Sequence, residues 1–213
     1  DAYNVAVGQE AGRSVTTGIF NTLIGGLAGD ALTDSDRNVA VGYFALSSDT
    51  LGTRSVAIGQ AALTSQNFTT ATNTYNVAVG HGAGENVTTG VENTLIGALA
   101  GDALTNSDEN VAVGYQALSS DTLGQYSLAI GRSALTAQNF TTATSTYNTA
   151  VGYVAGNAVT TGIENTFLGA GAGDALTDAD FNTALGSFAL SADTLGSRSV
   201  AIGRRSLFAQ NFT

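Results

Sequence analysis

Few residues in this chain are equipped for chemistry. His81 is its one histidine, cysteine is absent, and Glu10, Glu85, Glu92 and Glu164 are scattered. A catalytic histidine needs a nucleophile and an orienting acid beside it. A glycan-cleaving pair needs two carboxyl groups about 5–10 Å apart. The local sequence offers neither constellation, and neighbouring units fill the His81 position with Gln9, Gly26, Tyr43 and Gln60. No enzymatic activity is expected. Asp30, Asp34 and Asp36 in "GDALTDSD" return as Asp102 and Asp108, then as Asp174, Asp178 and Asp180. Alternating aspartates can supply oxygen ligands to calcium. Asn106 replaces Asp34 in the middle copy and no EF-hand ligand set is present, so exposed turn aspartates, with no metal and no cofactor, are the expectation. "GHGAGE" and "GAGAGD" look like phosphate loops, but neither opens a βαβ unit and the chain has no lysine.

The remaining candidates are aromatic. "QNFTTATNTYN" and "QNFTTATSTYN" interrupt an otherwise even spacing, and insertions of this kind lie on the surface of repeat proteins, often on the binding side. Phe68, Tyr75, Phe140 and Tyr147 are the candidate contact residues, as ring faces for sugars; the competing role is to plug a corner or to pack between chains.

The elements that hold these residues are repetitive. "NVAVG" and its variants end on Gly8, Gly25, Gly42, Gly59, Gly80, Gly97, Gly114, Gly131, Gly152, Gly169, Gly186 and Gly203. The steps between them are 17, 17, 17 and 21 residues, so twelve units group into 72-residue super-repeats spanning 1–72, 73–144 and 145–213. A fixed short period is the mark of a solenoid. A β-branched run ending at glycine reads as a short strand, and "ALSSDT" from Ala45 as a return strand. Seventeen residues are too few for a strand, a helix and two ordinary loops. The fold expected over 1–213 is therefore all-β: a single parallel β-solenoid of about twelve coils, a rod roughly 55 Å long at ~4.8 Å per coil. The array is in phase at both ends, and further 72-residue blocks are expected to flank it in a longer fibre.

Aligned units form columns. Asn4, Asn21, Asn38, Asn76, Asn93, Asn110, Asn148, Asn165 and Asn182 form a polar ladder, with Asn side chains expected to bond one another along the axis. Each glycine is expected where a side chain does not fit or where φ is positive. Along a strand, Val39 and Val41 face one way and Ala40 the other, and Leu23, Leu95 and Phe167 share the Ala40 column. Both faces are apolar, and a slender coil has one interior. The Ala40 face is therefore assigned to another chain, in an oligomer of parallel rods.

Composition agrees. Charged residues make up 11% of the chain against about 25% in ordinary soluble proteins, 27 of the 213 residues are glycine, and 43% are hydrophobic. This narrow alphabet fits a structural repeat protein that buries a core. A net charge of −10 with seven scattered arginines argues against nucleic acid. No apolar run reaches the ~20 residues of a membrane helix. A flat threonine array for binding ice would have to recur in every coil, whereas Thr16–Thr17, Thr88–Thr89 and Thr160–Thr161 occur once per super-repeat.

"NVAVGYFAL", "NVAVGYQAL" and "NTAVGYVAG", with "VTTGIENT" between units, resemble the repeats in YadA-like heads of trimeric autotransporter adhesins. They are still more similar to the 17-residue repeats of bacteriophage tail fibres. The resemblance covers the whole chain. It implies a left-handed parallel β-roll assembled as a homotrimer, extracellular, working in attachment to a cell surface through a glycan or another receptor. A bacterial adhesin head and an extracellular filament segment are the alternatives.

Overall fold

The computed structural model describes residues 2–212. Asp1 and Thr213, the outer limits of the array, lie outside the described residues. Twelve strands of three residues, from Val5–Val7 to Val200–Ile202, form one sheet in which every neighbouring pair is parallel. The register advances by one unit per rung: Val5 pairs with Thr22, and where the unit is longer Val56 pairs with Val77. Two further pairs, Gly52–Thr53 with Thr72–Asn73 and Gly124–Gln125 with Thr144–Ser145, join the base of each long insertion to the coil before it. The remainder of each coil is turns, and among the described residues there is no helix. The expected return strand from Ala45 does not form. That stretch is a run of turns whose backbone groups bond the next coil one at a time, as when Leu46 N–H donates to Ala62 C=O.

Closing a coil in so few residues needs sharp corners, and three per coil lie in the left-handed backbone region. One is the residue before the Asn, such as Arg37 or Tyr75; the others lie two and four residues past the strand-ending glycine. Non-glycine residues occupy 28 of these corners. Each such residue carries a conformational cost, and the bonding between adjacent coils is what holds it there. The strand-ending glycines meet both sequence-based conditions. Their φ runs from 116° to 146°, and in all but the last a Cβ would come within 2.3–2.7 Å of the next rung's glycine carbonyl.

The interior is the Ala column. Ala40, Ala57, Ala78 and Ala112 are fully buried, as are Leu23, Leu95 and Phe167, while Val39, Val41 and their equivalents line the outside. This reverses the sequence-based assignment, which gave the Ala40 face to a partner. The reason is volume. A coil this narrow has room for one large side chain near the strand, and a second must be offset. Where the strand carries Leu23, Leu95 or Phe167, the residue four past the glycine is Gly29, Gly101 or Gly173, and a Cβ there would lie 2.4–2.7 Å from the large side chain. Where the strand carries Ala40, Ala57, Ala112 or Ala129, that position is Leu46, Leu63, Leu118 or Leu135, all fully buried. In the coils of Ala6, Ala78 and Ala150 both positions are small, Gly12, Gly84 and Gly156 being the second, and large side chains of adjacent coils, among them Leu23, Leu95 and Phe167, fill the space.

Candidate functional site

The asparagine ladder is the polar spine. Asn21 Oδ1 accepts the backbone N–H of Asn38 at 2.9 Å, and Asn21 Nδ2 donates to Ser35 C=O at 2.7 Å in its own coil. Asn93 and Asn165 repeat both bonds. Eight of the nine Asn thus clamp their own coil and hold the backbone of the next; Asn182 makes only the second bond, to Ser199 N–H, and buries Nδ2 without a partner. Side chain-to-backbone bonds, rather than the expected Asn-to-Asn bonds, carry the ladder; only Asn93 and Asn165 also approach the previous Asn Oδ1, at 3.3 Å.

The ladder breaks once per super-repeat, where Ser55 and Ser127 replace Asn. Serine has no carbonyl to offer the next rung, and a buried polar network takes over. Ser55 Oγ lies 2.6 Å from Thr74 Oγ1 and accepts from Gln66 Nε2 at 2.8 Å. Gln66 Nε2 also donates to Asp49 Oδ2, and Gln66 Oε1 accepts from Asn76 Nδ2. Asp49 Oδ1 accepts from the N–H groups of Gly52 and Phe68 at 3.0 Å. Asp121, Gln138, Ser127, Thr146 and Asn148 repeat the arrangement. Burial raises the Asp49 carboxyl above its ordinary range, against the pull of these donors. Sequence reasoning missed the network; its signal was Asp and Gln recurring at interior positions in "SSDT" and "QNFT".

This network fixes the insertions and sorts their aromatics. Phe68 and Phe140 are 6% and 7% exposed, each tethered by its N–H to the buried aspartate. They plug the corner and offer no free ring face to a sugar, which corrects their place among the contact residues. Tyr75 and Tyr147 are 50% and 57% exposed.

Both tyrosines belong to a column that the sequence reading did not isolate: the left-handed corner just before the Asn position. From the first coil it reads Tyr3, Phe20, Arg37, Arg54, Tyr75 and Glu92, then Glu109, Tyr126, Tyr147, Glu164, Phe181 and Arg198. Its members stack on one another. Tyr3 and Phe20 lie 5.3 Å apart and nearly parallel, as do Tyr126 and Tyr147 at 5.4 Å. The guanidinium groups of Arg37, Arg54 and Arg198 sit 5.3–5.8 Å from the rings of Phe20, Tyr75 and Phe181, within cation–π range. The Glu109 carboxylate, the largest influence on the Tyr126 phenol, raises its pKa.

The acidic turns hold coils together. Asp36, Asp108 and Asp180 each accept a backbone N–H from the preceding coil at 2.9 Å. Asp34 accepts from Thr17 Oγ1, and Asn106 does the same for Thr89, so the Asp-to-Asn difference keeps the acceptor. Asp30, Asp102 and Asp174 each bury one oxygen, Oδ1, without a hydrogen-bond partner, and burial raises all three carboxyls. Arg13 offsets this partly at Asp30, with Nη2 3.4 Å from Oδ2, whereas Glu85 adds to it at Asp102. His81 is exposed. Among the described residues no cavity is enclosed and no cluster of three acidic or histidine side chains is placed to hold a metal.

The largest surface feature is the outer face of the sheet. Ile24, Ile58, Ile96, Ile130, Leu168 and Leu185 form one exposed column, and Val, Thr or Leu fills the column beside it. The strip is about 55 Å long and two side chains wide, on the order of 500 Å², at the upper end of what monomers expose.

Fold and surface together define a parallel β-solenoid repeat protein with an uncovered apolar sheet face. No protein-family model matches the chain, and neither a curated protein nor a solved structure does.

Proposed function

We propose that this chain is a structural fibre segment that assembles as a parallel homotrimer and mediates attachment to a cell surface outside the cell, in the manner of a bacteriophage tail fibre. The observation that carries the reading is the outward Val/Ile face. A strand apolar on both sides belongs between two packed layers, and the coil interior supplies one of them. Three copies meeting along this face bury the strip and leave the corner column at the rim. The repeat motif resembles those of trimeric attachment proteins, and the threefold rod presents Tyr75 and Tyr147 as exposed rings for a glycan receptor. Attachment then draws on multivalency along the rod rather than on one deep pocket.

Two measurements separate the parts of this proposal. Placing Glu at Ile96 and Ile130 puts charge in the centre of the face and is expected to dissociate the assembly to single 21.4 kDa chains that retain their β spectrum. Labelled protein is expected to bind bacterial cells carrying surface glycan, and Tyr75→Ala/Tyr147→Ala to lose that binding with the assembly intact. Binding unaffected by the tyrosine pair would remove them as contact residues.

A further inference from the structure

We propose that two copies of this chain pair side by side and antiparallel along the corner column that runs through Arg37, Tyr75 and Glu109. The occupant of this surface is a second copy, and charge complementarity identifies it. When the column is turned end for end about Tyr75, Arg54 comes opposite Glu92 and Arg37 opposite Glu109. One rung further out Phe20 meets Tyr126, beyond it Tyr3 meets Tyr147, and Tyr75 meets its own copy on the twofold axis. Nine successive rungs match, aromatic to aromatic and cation to anion. The twofold doubles each ion pair, giving four.

Geometry allows the match. Every rung is one strand spacing from the next, ~4.8 Å, so a reversed column stays in step with itself. The column residues are at the surface: Phe20 is 45% exposed, and the Arg37 side chain 51%. The glutamates make no ion pair within the chain among the described residues; Arg37 Nη1 makes an exposed 3.7 Å pair with Asp36 Oδ2 and Arg54 Nη1 donates to Asn73 Oδ1, and both guanidinium groups lie over rings at the surface. The same column selects polarity. Copies laid parallel and in step would set Arg37 on Arg37 and Glu109 on Glu109, whereas the antiparallel twofold makes one patch complementary to itself. This contact is separate from the proposed trimer face but covers Tyr75 and Tyr147, so lateral pairing and receptor contact through those rings are alternative uses of one surface. It joins one rod to another at the rim, and would bundle fibres laterally.

The test is sedimentation velocity on the full chain at concentrations up to hundreds of micromolar, with R37E/R54E, E92R/E109R and their equal mixture. Wild type is expected to show, besides its basic unit, a species of at least twice that unit's mass. Each double variant alone faces like charge with like and is expected to lose that species while keeping the unit. The mixture pairs an all-Glu with an all-Arg column and is expected to recover it, which also shows that both variants are folded. Wild type without the doubled species, variants that keep it, or a mixture that fails to regain it would each overturn the pairing. The mass of the basic unit, read in the same runs, reports on the trimer independently.

Discussion

Gln66 Nε2 stands 2.6 Å from Oδ2 of Asp49, in the preceding coil, and both side chains are fully buried. This contact secures the one place per super-repeat where the asparagine spine is interrupted and the coil lengthens. Asp49→Ala strands the N–H groups of Gly52 and Phe68 and the amide of Gln66 inside the rod. Each buried donor left without an acceptor costs about 1–3 kcal/mol, and a loss of several kcal/mol is expected by urea titration. Asp49→Asn keeps the acceptor for the two backbone donors and is expected to cost less than half as much.

The spine itself makes a sharper comparison. Asn93 gives Oδ1 to Asn110 N–H and Nδ2 to Ser107 C=O, both in the interior. Asn93→Ala leaves one donor and one acceptor unpaired, at about 1–3 kcal/mol for each. Asn93→Asp restores the acceptor but aims a carboxylate at the Ser107 carbonyl, and is expected to be no more stable than the alanine variant. A melting temperature near wild type for the aspartate would show that the bond within the coil is unimportant.

Leu23 and Gly29 share one volume. A Cβ on Gly29 would sit 2.7 Å from Leu23 Cδ2 and 2.8 Å from Leu32 Cδ1, at a left-handed φ of 56°. Gly29→Leu alone overpacks the coil, at about 1–3 kcal/mol or more, and Leu23→Ala alone leaves a cavity at about 2–5 kcal/mol. The double variant copies the Ala40–Leu46 pair of the following coil, with Leu32 standing where that coil has Asp49. Its destabilisation is expected to fall short of the sum by at least about 1 kcal/mol, as contacting residues couple in a double-mutant cycle. Additive losses would refute the shared volume.

Acid should strengthen this protein over a range where it weakens most others. Burial raises the carboxyls of Asp30, Asp49, Asp102 and Asp174 above the ordinary carboxylate range. In that window the folded state binds more protons than the unfolded state, so stability falls as pH rises through the folded pKa and is fullest below the unfolded one. Neutralising part of a net charge of −10 acts in the same direction. The melting temperature is expected to rise from pH 7 down toward pH 4, and Asp102→Asn to flatten the rise. A steady fall over that range would contradict these assignments. Asp193, in the more open last copy of the buried network, shifts the other way: burial still raises it, but bonds from Phe212, Gln210, Gly196 and Leu195 outweigh that.

Much of this was legible in the sequence because identical residues stack. The step between glycines gives the number of coils and their register, and Asn at one position in nine of twelve units marks the spine. What the sequence hid depends on which way a side chain turns. Val39 and Ala40 are both apolar, and only the width of the closed coil decides that alanine goes in. "ALSSDT" has the composition of a strand, but a left-handed Leu46 turns it into a corner. Phe68 and Tyr75 are both aromatics of one insertion, yet a single bond from Phe68 N–H to Asp49 buries one ring and leaves the other in solvent.

Everything functional rests on the outward Val/Ile face being covered by copies of the same chain. The mass of the folded protein in solution, by sedimentation equilibrium or light scattering at neutral pH, tests this directly. Three chains of 21.4 kDa give about 64 kDa, the mass expected for the basic unit. A folded, β-rich species of 21.4 kDa that persists at all concentrations would contradict the account.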